Sequence, residues 1–201
     1  MPPLPPSWDA YHPLVVHFPI ALFVVAPIFI LLGAITGMRA LMLSALILLV
    51  LGTAGAFVAT NTGEEAYDVM EPDEALDEEG ESWDVVELHY EQTEFARNIF
   101  VGVTAVYAVV VALAYALPSS TKLVPRLVIG LVMLGLAGYG NMVMANGAHL
   151  GGELVHRYGV RAAVAIEEET AETADEESGA EEADSDAEED EPAEAESDEA
   201  A

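Results

Sequence analysis

The chain has 201 residues, 35 acidic against 6 basic side chains, a net charge of -29 and no cysteine, yet 53% of its residues are hydrophobic. Without cysteine there can be no disulfide, thiolate metal site, cysteine-held iron–sulfur cluster or haem attached through Cys-x-x-Cys-His. So negative a surface argues against nucleic acid and against anionic lipid headgroups as partners of the exposed parts.

High acidity and positive mean hydropathy coexist because the two kinds of residue are segregated. Residues 14–35, 40–60, 99–117 and 127–145 are apolar stretches without a single Lys, Arg, Asp or Glu. Each is close to the ~20 residues that cross a hydrocarbon core of about 30 Å. The expected fold class is all-α: a four-helix transmembrane bundle, multi-pass in the cell membrane, with an acidic disordered C-terminal tail.

In chain order, residues 1–12 form an outer N-terminal segment. MPPLPPSWDAYHP has no basic n-region, so the first apolar stretch reads as a retained anchor rather than a cleaved signal peptide. Helix one is expected over 14–35. Pro13 suits a first turn, whereas Pro19 and Pro27 lie inside the pattern and should loosen or kink it, which neighbouring helices tolerate in a membrane. Helix two is expected over 40–60, with Gly55, Ala59 and Gly63 four apart as a close-packing face. An outer connection follows over 61–83, and 14 acids lie between Glu64 and Glu94. SWDVVELHYEQTEFARN lacks Gly and Pro and should carry helix three outward, giving 84–117. Helix four is expected over 123–149, with Gly147 and Gly151 again four apart. The membrane domain is thus 13–160 and the tail 161–201. Nineteen acids follow Ile166 with no large apolar residue to bury, so that run cannot offset its ordering entropy. The acidic bias fits exposed parts that face a high-salt, halophilic medium.

Arg39 lies in one short turn, and Lys122 and Arg126 in the other. Basic residues in short loops stay cytoplasmic, which places both termini outside. Arg97, Arg157 and Arg161 on the outer side run against this assignment.

All five histidines then fall on the outer side, at the starts of helices one and three or the end of helix four. A lone interfacial histidine is ordinarily a hydrogen-bonding group, but three helices bring histidines to one mouth. For a haem b the requirement is two imidazoles from opposed helices. His17 with His149 is the pair nearest the apolar core, with Phe18, Tyr139 and Met142 able to line a pocket and His89 as the substitute. For a non-haem transition metal the candidates are His17, His89, His149 and Glu153. Glu153-x-x-His156 has a diiron spacing. Its one near match, Asp9-x-x-His12, lies outside a helix, and Glu153 can instead pair with Arg157. Asn141 and Asn146 are expected to make interhelical hydrogen bonds. No catalytic motif is present, and the absence of intramembrane charge offers no ion path.

HPLVVHFPIAL at 12–22, Thr62-Gly63, His89 ahead of helix three and GAHLGGELVHRYGV at 147–160 together resemble the membrane proteins grouped as domain of unknown function 2231. The resemblance implies four membrane helices. Because relatives are found with c-type cytochrome domains, it also implies a place near respiratory electron transfer, by association alone. The resulting expectation is a small redox or metal/haem-binding subunit that works with a cytochrome or another respiratory subunit. The alternative is a non-catalytic structural or assembly subunit.

Overall fold

The structure is a computed structural model that describes residues 7–70, 81–117 and 122–160. A single 3-10 turn, Asp9–Tyr11, leads into α1 (His12–Val15) and α2 (His17–Thr36), followed by α3 (Arg39–Met70), α4 (Glu81–Ala116) and α5 (Leu123–His156). The first two are one membrane-length segment, His12–Thr36, interrupted at Val16. The interruption has a local cause. Pro19 has no N–H to give the carbonyl of Val15, and its ring crowds that carbonyl. Two residues earlier the carbonyl of Pro13 is taken by the His17 ring, with Nδ1 donating at 2.9 Å.

Four segments are therefore long and apolar enough to cross a bilayer, as the sequence predicts. Many of their large aliphatic side chains face outward: Val24, Ile28, Leu51, Val109, Leu131 and Val132 are all exposed, whereas Ala26, Ala45, Ala56 and Ala137 are buried. This distribution suits lipid, where outward Val, Ile and Leu lie in solvent as apolar as themselves and small residues let backbones approach. The centre is an aromatic pair. The rings of Phe23 and Phe100 stack with centroids 3.6 Å apart and planes 5° apart. Glycines make the room: a Cβ on Gly52 would sit 2.7 Å from Phe23 Cε1, and one on Gly140 3.1 Å from Phe100 Cζ.

Few polar groups lie between the helices, and several of them bond across to a backbone or hydroxyl partner. Thr53 of α3 and Thr104 of α4 share a hydroxyl hydrogen bond of 2.9 Å. Asn141 of α5 donates to the carbonyl of Phe23 at 3.1 Å. The C-terminus of α2 closes on Gly37, in the left-handed region at φ 72°, whose N–H returns to Gly33 O. Arg126 completes that cap, donating from Nε to Ala34 O at 2.7 Å and from Nη2 to Ile35 O at 2.8 Å.

The expected outer connection at 61–83 is shorter than the sequence indicated. Helix α3 continues to Met70 because nothing stops it at Thr62. That hydroxyl bonds back to Ala59 O at 2.9 Å and Val58 O at 3.1 Å, and no proline follows before Met70. Helix α4 begins at Glu81, close to the expected 84, and α5 runs on to His156. The remainder of the connection, 71–80, and the acidic tail from 161, with its expected disorder, lie outside the described residues. From Val155 on, the described residues belong to a separate unit, in which the Arg157 guanidinium lies over the Tyr158 ring at 5.0 Å.

Candidate functional site

Two histidines, one from each helical hairpin, meet near the outer ends of α3 and α5. His12, at the start of α1, points its ring at α3 and donates from Nδ1 to the carbonyl of Ala59 at 2.9 Å, with the hydroxyl of Thr62 at 3.3 Å. His89, in the outward extension of α4, points its ring at α5 and donates from Nδ1 to the carbonyl of Gly147 at 2.8 Å. Each ring lies in a notch four residues beyond its acceptor. A Cβ on Gly63 would be 2.9 Å from His12 Cε1, and a Cβ on Gly151 would be 2.9 Å from His89 Cε1. The two arrangements are the same local device repeated in the two hairpins: a small residue offers its carbonyl, and a glycine one turn later accepts the ring. The ring centroids of His12 and His89 are 6.3 Å apart, with planes at 87°.

These bonds fix the chemistry of the imidazoles. A carbonyl oxygen only accepts, so in both rings Nδ1 carries the hydrogen, and in the neutral ring Nε2 is left with its lone pair. That is the tautomer in which a histidine acts as a metal ligand, with the other nitrogen oriented by a backbone carbonyl. Both side chains are half-buried. Thr62, which supports His12, is fully buried. Around the pair, Arg97 joins α4 to α3 through Thr60 Oγ1 at 3.0 Å and pairs with Glu94 at 2.8 Å. Tyr67 rests against Trp83 and Tyr90, with ring centroids 5.3 and 5.5 Å away, where the outward extensions of α3 and α4 meet.

Only part of the expected ligand set comes together. His89 is in the pair, but its companion is His12, which the sequence placed ahead of the helix. His17 is exposed and spends Nδ1 on Pro13 O of its own segment. His149 is exposed on α5, and so is His156 in the unit that begins at Val155. Phe18 packs on Gly55 rather than lining a histidine pocket, while Tyr139 and Met142 are exposed. Among the described residues no group of three or more His, Cys, Asp or Glu side chains is placed to hold a metal ion, so His17, His89, His149 and Glu153 do not form one centre. What sequence reasoning missed is His12 as a member of the pair, and that Ala59, Thr62 and Gly63 support its ring. The signal was present: the small-x-x-x-Gly spacing of 59–63 recurs at 147–151.

A family described as a predicted membrane protein, domain of unknown function 2231, matches residues 9–164. The chain belongs to that family. The match covers both hairpins, and in this DUF2231 chain the sequence motifs and the histidine device coincide: His12 opens the first motif, Thr62-Gly63 is its cradle, and Gly147 and Gly151 of the last motif form the cradle of His89. No curated protein and no solved structure matches the chain.

Proposed function

We propose that the protein is a small redox subunit of a membrane electron-transfer system that binds one haem b through His12 and His89. The observation that carries this reading is the matched pair of imidazoles, each held by Nδ1 on a backbone carbonyl and each left with a free Nε2 lone pair. The donor set favours haem over zinc. A structural zinc takes four protein ligands, more than this pair offers, whereas His12 and His89 would be enough to hold a haem. The two rings lie close together, with centroids 6.3 Å apart. A bound haem would supply one-electron chemistry. The chain would supply ligand tautomer and orientation, which tune such a group. A cytochrome or another respiratory subunit is the partner this reading implies.

A second reading rests on the same bonds. Each imidazole already clips one helix of a hairpin to the other, so the pair would suit a structural or assembly subunit as well. Purification in mild detergent after expression with haem supplied separates the two. The redox reading expects a Soret band at up to one haem per chain. Protein that is folded but carries neither haem nor metal by elemental analysis belongs to the structural reading.

A further inference from the structure

At the end of the bundle away from the histidine pair, the four membrane segments line an open-sided cavity of about 290 Å³. Its walls are apolar, with Ile30 from α2, Met42 from α3, Val110 from α4, and Ile129 and Met133 from α5. Polar groups occur at its two extremes. At the inner extreme Tyr107 lines the cavity and is 3% exposed, and its hydroxyl makes no hydrogen bond among the described residues. At the mouth are two guanidinium groups. Arg126 uses Nε and Nη2 to cap α2, leaving Nη1 without a hydrogen bond among the described residues, and Arg39 lies over the Tyr115 ring at 5.2 Å.

We infer that this cavity is a binding site for the ring of a membrane quinone, with one ring carbonyl accepting from the Tyr107 hydroxyl and the opposite carbonyl facing Arg126 and Arg39. A hydroxyl that opens onto apolar walls without a partner is costly, and an apolar cleft gains stability when apolar surface fills it. A ligand that satisfies both must be flat, apolar on its faces and an acceptor at each end. A para-quinone has that pattern. An acyl chain fills the void but leaves Tyr107 unpaired, and a compact anion meets the guanidinium groups but not the walls. The volume is at the lower end for small-molecule sites, which run from about 300 to 1,000 Å³.

The test is equilibrium binding of menadione and of a decyl-substituted benzoquinone to the full chain in detergent, with sodium oleate as a third ligand. The inference expects saturable binding of at least one quinone at one per chain. Tyr107→Phe should weaken it about three- to tenfold, the effect of one hydrogen bond, and Ala114→Phe, which fills the cavity, should abolish it. If Ala114→Phe fails to fold, Leu113→Trp takes its place. The His12→Ala variant should bind quinone as well as the parent does, so this result stands apart from the haem reading. Absence of saturable quinone binding overturns the inference. So does binding that ignores Tyr107→Phe, or a site that takes oleate and not quinone.

Discussion

Asn141 donates its side-chain amide to the carbonyl of Phe23, the one acceptor in α2 that Pro27 leaves without its helical N–H. The relation explains how an interior proline persists in a membrane helix: a neighbouring helix replaces the lost bond. The same Asn141 nitrogen also bonds Ala137 O at 3.0 Å, and its Oδ1 is buried without a partner.

The relation predicts a coupling. Asn141→Leu should lower stability by about 0.5–1.5 kcal/mol, the range of interhelical hydrogen bonds in membranes. In a Pro27→Ala background the Phe23 carbonyl regains its own N–H, and the same change should cost less than half as much. Reversible unfolding in mixed micelles of the four proteins gives the interaction energy, and strict additivity would show that the Phe23 carbonyl is not the link.

The glycine notches are the next test. Gly63→Ala or Gly151→Ala places a methyl against a ring whose retreat breaks a carbonyl bond. Each should cost about 1–3 kcal/mol, the range for overpacking. Gly138→Ala meets nothing within 4 Å and serves as the control, expected to be neutral or slightly stabilising. Thermal denaturation in detergent ranks the three, and equal midpoints would remove the notches from the account.

The histidine site shows what sequence could and could not convey. The four spans were legible because charge is absent from each, and Gly55, Ala59, Gly63, Gly147 and Gly151 were legible as packing positions. The choice of histidines turned on helix rotation. His149 is two residues from Gly147, about 200° around the helix, so once Gly147 faces α4 His149 faces away. His17 is five residues from His12, roughly 140° around, and cannot share its direction. His12 lies outside the helix expected over 14–35, yet Pro13 at the N-terminus of α1 helps to start the turn that aims its ring. Helix α3 runs beyond the expected 60 because only its apolar stretch ends there, and the Thr62 hydroxyl returns to its own helix.

Arg126 acts as a cap donated by another helix. Arg126→Ala should destabilise by about 1–2 kcal/mol, the upper range for a cation at a helix C-terminus. Arg126→Lys should recover only part of this, because one ammonium cannot reproduce the fork that reaches Ala34 O and Ile35 O together. Unfolding of both variants in detergent measures this, and full recovery by lysine would mean that charge alone matters.

Topology is tested with single cysteines in this cysteine-free chain. With Arg39, Lys122 and Arg126 on the cytoplasmic side, Ser7→Cys should react with an impermeant maleimide on intact cells and Met38→Cys should react only after permeabilisation. The opposite pattern would reverse the orientation.

The central claim is that His12 and His89 are a ligand pair, and the reduced-minus-oxidised difference spectrum of matched histidine variants addresses it most directly. His12→Ala and His89→Ala should each remove the haem signal while the protein stays inserted and helical. His17→Ala and His149→Ala, which alter exposed rings, should retain it at parent intensity. A signal that survives in His12→Ala and His89→Ala, or that is lost in His17→Ala or His149→Ala instead, would contradict the account.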